Sequence, residues 1–225
     1  MENSNKSFLA KRIFFYIFGI YFSAFAIAIA KLTPLGVPPN SSLPNQISII
    51  LDMDLGLVTA VVFTVFVIIQ WILIGKDFKK INFFQVLLAV LFGYFVSINL
   101  KIAKVIFPSC ENSYTLQLLY MVLGSYMLGS SINIYMKAKW MPIPTEGLAR
   151  AVSERFNISF PMSKNICDII IVAFTVILSL SYYKCLYGIR EGTIISAVLV
   201  GRFVKFSDML YGKHIEKFIW LKTGK

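Results

Sequence analysis

Apolar residues in this chain gather into long runs separated by short polar stretches. Six runs approach the roughly 20 residues that a helix needs to cross a bilayer. They cover residues 12–31, 55–75, 83–100, 114–136, 166–186 and 191–208. The last is the shortest and contains Arg202. Two shorter segments interrupt the series, each behind a proline-rich turn. In the first, Leu43, Ile47, Ile50 and Leu51 recur at helical spacing, and Asn40, Ser41 and Ser42 offer N-caps. In the second, Leu148, Val152 and Phe156 form the stripe and Thr145 offers the N-cap. Glu146 precedes Arg150 by four residues, the favourable order for a pair on one helix face. Such segments are either amphipathic helices lying in the membrane interface or re-entrant half-helices dipping in from opposite faces. In the second case their N-terminal N–H groups suit an anionic group of a solute. The irregular backbone over residues 36–40 is then tolerable only where protein or water surrounds it.

The two halves of the chain carry the same landmarks in the same order. At an offset of 105, Gly19 meets Gly124, Tyr21 meets Tyr126 and Pro39 meets Pro144. Leu43 then meets Leu148, Ile47 meets Val152 and Leu51 meets Phe156. "FTV" at 63–65 recurs at 174–176, and "LFGYFV" at 91–96 answers "LVGRFV" at 199–204. The offset changes in or near predicted connections, where insertions are tolerated. The expected architecture is an all-α membrane protein with six transmembrane helices in two inverted-topology three-helix repeats. Each repeat carries one short amphipathic or re-entrant helix. Repeat one covers about 12–107 and repeat two about 114–208, within a single membrane domain over 1–225, and 209–225 form a tail. Three crossings per repeat turn the second copy upside down, an arrangement that in secondary transporters places the binding site between repeats.

Composition agrees with a bilayer. The chain is 57% hydrophobic and 15% charged, against about 25% charged in soluble domains. A net charge of +11 does not point to nucleic acid, because the basic residues are scattered between apolar runs rather than gathered on one face. They set orientation instead. With the N-terminus in the cytoplasm, seventeen of the 22 Lys and Arg residues fall on the cytoplasmic side, which puts both termini inside. Trp71 and Trp140 then stand at inner ends, and Tyr182, Tyr183 and Tyr187 at an outer end. The tail sequence "KHIEKFIWLK" sets Ile215, Phe218 and Ile219 on one face among lysines, as in a helix lying on the inner surface. The first run, Ile13 to Ala30, exceeds the roughly 7–15 residues of a signal-peptide core. It also has a counterpart in the second half, and reads as a retained helix.

Candidate chemistry is sparse. Cys110, Cys167, Cys185 and the lone His214 have no metal-ligand spacing. No hydrolase, zincin or paired-carboxylate motif is present. An enzyme, a metal centre and a cofactor are therefore not expected. Asp168 lies near the start of the fifth run, as a solvated helix-start carboxylate or as a proton or cation site facing the bundle. Gln70, Gln85, Asn99, Gln117 and Asn133 suit interhelical hydrogen bonds. In "GIREGTIISAVLVGRFV" (188–204), Arg190, Glu191, Thr193 and Ser196 open the sixth run, where the first half has Gln85 opposite Thr193. This is either an ordinary charged helix start or a polar gate at the outer mouth between repeats.

"PTEGLARAVSERFNISFPMSKNICDI" and "GIREGTIISAVLVGRFVKF", with a weaker match at "LGVPPNSSLP", resemble the YitT/YczE/YyaS-like integral membrane proteins. The resemblance is nearest to a branch classed only as a domain of unknown function. It covers nearly the whole chain and implies a bacterial multi-span inner-membrane protein, often taken for a transporter. It supplies no substrate and no catalytic residue. The expected partners are the lipid bilayer and an unidentified small solute, with a homo-oligomer or a partner subunit left open. The expected function is transport of that solute by alternating access. The alternative is a non-transporting subunit, sensor or scaffold that acts with another protein.

Overall fold

The structure, a computed structural model, describes the backbone of residues 2–220 and the side chains from Leu9 onward. Lys222, Lys225 and the side chain of Lys6, counted above among the basic residues, lie outside the described residues. The chain forms α1 (Glu2–Lys31), α2 (Pro39–Leu51), α3 (Leu55–Ile74), α4 (Phe84–Ile106) and α5 (Tyr114–Lys137). It continues through α6 (Pro144–Phe156), α7 (Phe160–Tyr183), α8 (Glu191–Ser207) and α9 (Lys213–Trp220). A π-helical turn, Asp208–Gly212, joins α8 to α9. Five helices (α1, α3, α4, α5 and α7) are long and apolar enough to cross a membrane. Large apolar side chains such as Ile72, Val105, Ile169 and Phe174 point away from the protein. The chain is an all-α, multi-pass membrane protein. At 17 residues, α8 is about 26 Å long, short of the roughly 30 Å hydrocarbon core.

Small residues set the close approaches, as expected where apolar burial gives helices no reason to associate. Gly19 of α1 faces Tyr135 and Ser131 of α5, and Gly124 of α5 faces Ala26 and Ala30 of α1. A Cβ at Gly19 would stand 2.9 Å from Tyr135 Cβ. On the far side of α1, α4 packs against both α1 and α3. Gly56 of α3 and Gly93 of α4 touch backbone to backbone, so a Cβ on either would strike the other's carbonyl. Nearby, Phe63 and Phe92 stack at 5.3 Å in the core. Next to α5 lies α8, with Gly129 against Phe203 and Val200. The two short helices complete a ring, in which α2 and α6 each pack against both α3 and α7.

The local geometry of α2 and α6 is closely matched. Each has 13 residues and a proline in its first turn. Each ends on a left-handed residue, Asp52 (φ 51°) or Asn157 (φ 53°). The Ser48 hydroxyl donates to Met53 O (2.7 Å) and the Ser153 hydroxyl to Ile158 O (2.6 Å), closing the two ends alike. One boundary differs clearly from the sequence expectation. The fifth apolar run was expected from 166, but α7 begins at Phe160, with Pro161 pre-set for a first turn. The polar Ser163, Lys164 and Asn165 hide that turn from a hydropathy reading. Asp168 consequently stands two turns inside α7, paired with Lys164 at 2.5 Å.

Candidate functional site

The polar face of α2 is its buried face. Asn40, Ser41, Ser42, Asn45, Gln46 and Ser48 are buried, while Leu43 and Ile47 are only partly so and Leu51 is exposed. This inverts the pattern of a helix on a water-soluble protein. Asn40, Ser41 and Ser42 are not the expected N-caps. The helix starts earlier, at Pro39, and no side chain caps it. The hydroxyls of Ser41 and Ser42 instead donate back to Pro38 O (3.0 Å) and Pro39 O (2.8 Å). Ser42 Oγ also lies 3.1 Å from Thr175 Oγ1 of α7, and the Tyr183 hydroxyl donates to Ile49 O at 3.3 Å. The two helices therefore run side by side in the same direction. Thr175 precedes Tyr183 by eight residues, about 12 Å of helix, so the first turn of α2 sits that far below the end of α7.

The start of α8 covers the turn that leads into α2. Gly192 N donates to Leu35 O at 3.0 Å. Gly36 has φ +104°, and a Cβ there would strike Thr193 Oγ1, so glycine is required on both counts. Thr193 and Ser196 are buried, and the Ser196 hydroxyl donates to Thr193 O at 3.0 Å. Asn45 Nδ2 reaches Gly188 O at 3.5 Å. A cavity of about 570 Å³ opens here, with Lys31, Gly36, Asn45, Gly188 and Arg190 among its lining residues. Asn45 lines it, and in the adjoining parts of α2 and α8 buried polar atoms lack hydrogen-bond partners: Asn40 Oδ1, Asn45 Oδ1, both amide atoms of Gln46, and Thr193 Oγ1. Gln46 is 0% exposed. A buried polar group left unpaired costs about 1–3 kcal/mol, so this concentration calls for an occupant. Arg190 and Glu191 stand on the exposed rim, bound to one another at 3.0 and 3.2 Å.

The first turn of α6 is buried in a different way. Its helix starts at Pro144, so Thr145 is inside the first turn rather than capping it. Thr145 Oγ1 donates to Glu146 Oε2 at 2.9 Å. Gln70 Nε2 of α3 donates to Pro144 O and to Gln85 Oε1 of α4, both at 3.1 Å. Gly147 makes room for these amides, since a Cβ there would lie 2.5 Å from Gln85 Oε1. On the other flank the Ser163 hydroxyl donates to Ala149 O at 2.5 Å. Glu146 is 5% exposed, the one charged residue type among the buried described residues. Arg150 is exposed and makes no ion pair with it. Burial pushes the Glu146 carboxyl above the usual range, against the opposing pull of the Lys164 charge. A cavity of about 290 Å³ lies beside it, with Tyr135, Trp140, Arg150 and Phe160 in its lining.

The candidates from the sequence thus fall into two groups. Asn40, Ser41, Ser42, Thr193 and Ser196 gather at the α2 end, with Arg190 and Glu191 on its rim. Thr145 and Glu146 gather at the α6 end, with the Lys164–Asp168 pair nearby. Gln70 and Gln85 belong to the second group, whereas Asn99, Gln117 and Asn133 tie neighbouring segments together away from both. Asn45, Gln46, Lys31 and Tyr135 were not expected. The signal for Asn45 and Gln46 was the polar stripe opposite Leu43 and Ile47, the face taken for solvent. Among the described residues, no three His, Cys, Asp or Glu side chains gather as metal ligands, and all three cysteines are free.

A family model described as a family of unknown function (DUF6198) matches residues 10–209. No curated protein and no solved structure matches the chain.

Proposed function

The chain belongs to DUF6198, a family of unknown function, and on that premise we propose that it is a small-solute membrane transporter. Its solute site is the cavity at the α2–α8 end, and the solute is small, polar and carries an anionic group. One observation carries this reading: a cavity lined by Asn45, Lys31 and Arg190, with unpartnered polar atoms of Asn40, Asn45 and Gln46 on the adjoining α2 and of Thr193 at the start of α8. The anionic preference rests on Lys31 and on the partial positive charge of the α2 N-terminus, since Arg190 is paired with Glu191 and Glu111 also lines the cavity.

The architecture proposed for it is six crossings in two inverted repeats. The matched lengths, proline starts and left-handed ends of α2 and α6 support the repeat. The exchange of partners supports it as well, α2 lying against α7 and α6 against α3. In this reading α8, extended by its π turn, is the sixth crossing, and α2 and α6 are half-helices entering from opposite faces. Lys11, in the first half of α1, lies 5.1 Å from the centre of the Phe218 ring of α9. The two ends of the described chain therefore share one end of the bundle, as an even number of crossings requires. The excess of Lys and Arg assigns that end to the cytoplasm.

The test uses the full chain purified in detergent. Its melting temperature is followed against a panel of amino acids, small carboxylates and sugars, and hits are carried into proteoliposome uptake. A binding solute raises the melting temperature by mass action. Gln46→Leu should abolish that rise. No hit across the panel, with a second protein co-purifying in fixed ratio, would replace transport with the partner-subunit reading.

A further inference from the structure

Glu146 stands apart from every other ionisable side chain described. It is buried, makes no ion pair, and has one hydroxyl donor, Thr145 Oγ1. None of the basic groups near it forms an ion pair with it, although the Lys164 charge favours its ionised form. Lys164 of α7 is already engaged by Asp168 at 2.5 Å. Arg150, one turn along α6, is exposed. Lys139, in the connection after α5, is 3.9 Å from Glu216 and lies over the Trp220 ring. The Tyr16 hydroxyl of α1 donates to Met141 O at 2.7 Å. The Tyr135 hydroxyl of α5 is buried without a hydrogen-bond partner of ordinary geometry, and Glu146 is its charged neighbour. Both Tyr135 and Glu146 line the 290 Å³ cavity.

A carboxylate in such a place has two outcomes. It stays ionised and bears the cost of a buried, unpaired charge, or it takes a proton and becomes neutral. Thr145 Oγ1 donates to the carboxyl, and the Tyr135 hydroxyl beside it can donate to the ionised form or accept from the protonated one, so the pocket can hold the group in both states. The cavity supplies water for the exchange.

We infer that Glu146 is a proton-binding site that exchanges its proton with the cavity between α5 and α6. One carboxyl oxygen takes a proton from cavity water, and release returns it by the same route. The corresponding residue of α2, 105 positions earlier, is Ser41, so the site belongs to one half of the chain only. That the proton is also the coupling ion of transport rests on the function proposed above.

The primary test needs no solute, so its outcome is independent of the transport reading. Infrared difference spectra of the full purified chain are recorded across pH. A carbonyl band of a protonated carboxylic acid should persist above the pH at which an exposed glutamate ionises, about 4.3, and vanish in Glu146→Gln. Tyr135→Phe, which leaves the carboxyl in place, should shift the band and its midpoint without removing it. This second variant covers the case in which Glu146→Gln does not fold. A band that titrates at or below that pH overturns the inference. So does its loss on adding sodium at fixed pH, which would make this a cation site. Should a solute be identified, its uptake in Glu146→Gln should lose its dependence on an imposed pH gradient. Uptake that stays gradient-driven would overturn the coupling step alone.

Discussion

The first turns of α2 and α6 are built to one plan and finished differently. Each is buried and met by polar side chains from two long helices: Thr175 and Thr193 at α2, Gln70 and Gln85 at α6. At α6 the amides close on each other and on Pro144 O, and the flanking helices α3 and α4 interlock at Gly56 and Gly93. At α2 the serines are paired but Asn40 Oδ1, Asn45 Oδ1 and both Gln46 amide atoms are not, and α7 and α8 share no packed face like that of α3 and α4. Gly201, which answers Gly93 in the sequence, has nothing within 4 Å. The contrast teaches where a ligand fits. Matched backbones with mismatched satisfaction distinguish an α6 end whose amides pair with one another from an α2 end where several buried polar atoms do not, and it is the second that the proposed solute would occupy.

The contrast breaks most sharply at the two glycines. Gly93→Leu should destabilise the protein by about 3 kcal/mol, the upper end for overpacking, and lower the yield of folded protein. Gly201→Leu should leave the melting temperature nearly unchanged. If alternating access closes α7 onto α8 as α3 closes on α4, the same variant should abolish uptake. Equal destabilisation by the two variants would remove the open corner.

A smaller effect, of opposite sign, is expected at Gln46. Gln46→Leu removes an unpaired buried amide and should stabilise the solute-free protein by about 1–3 kcal/mol while erasing solute binding. Destabilisation in a melting experiment would mean that the amide has a partner.

Glu146 tests the closed end. Its carboxyl titrates above the usual range because it is buried. As pH rises past about 4.3, the unfolded chain loses this proton while the folded chain keeps it. Stability therefore falls with pH until the folded carboxyl also ionises, by about 1.4 kcal/mol for each unit of separation. Melting curves of Glu146→Gln across pH should lack that decline. A wild-type protein whose stability rises over the same window would reverse the assignment.

The smallest change is expected at the rim. Arg190 and Glu191 form an exposed pair, worth about 0.2–1 kcal/mol, so Glu191→Gln should leave the melting temperature within a degree or so. Reduced uptake with unchanged folding would place Glu191 at the solute path, and unchanged uptake would exclude it.

Much of the fold was legible because bilayer length and apolar run length are directly linked. Five expected crossings coincide with long apolar helices, and Gly19 and Gly124, matched in sequence, both sit where α1 and α5 meet. What failed to show was direction. Leu43 and Ile47 gave the helical period of α2 correctly, but in a membrane the apolar stripe can be the outer one. The sequence pattern could not say that Asn45 and Gln46 face inward. The N-caps were misplaced for a related reason, since proline fixes the first turn without any capping side chain. The burial of Glu146 was hidden because Gln70, Gln85 and Tyr135, which surround it, lie far away in the chain.

The inverted faces of α2 also impose an order of assembly. As the chain is synthesised, α6 arrives to find α3 and α4 already made, with Gln70 and Gln85 in place to receive its first turn. The seat for α2 is not yet there: Ser42 meets Thr175, 133 residues later, and Thr193 comes later still. Until α7 and α8 emerge, α3 is the one main packing partner of α2 already made, and the polar face of α2 lacks Thr175 and Thr193. If α2 is the half-helix proposed above, its seat is completed last, although it is made second. The N-terminal half is thus a dependent during biogenesis, and a chain truncated before α7 would be expected to leave α2 outside the bundle.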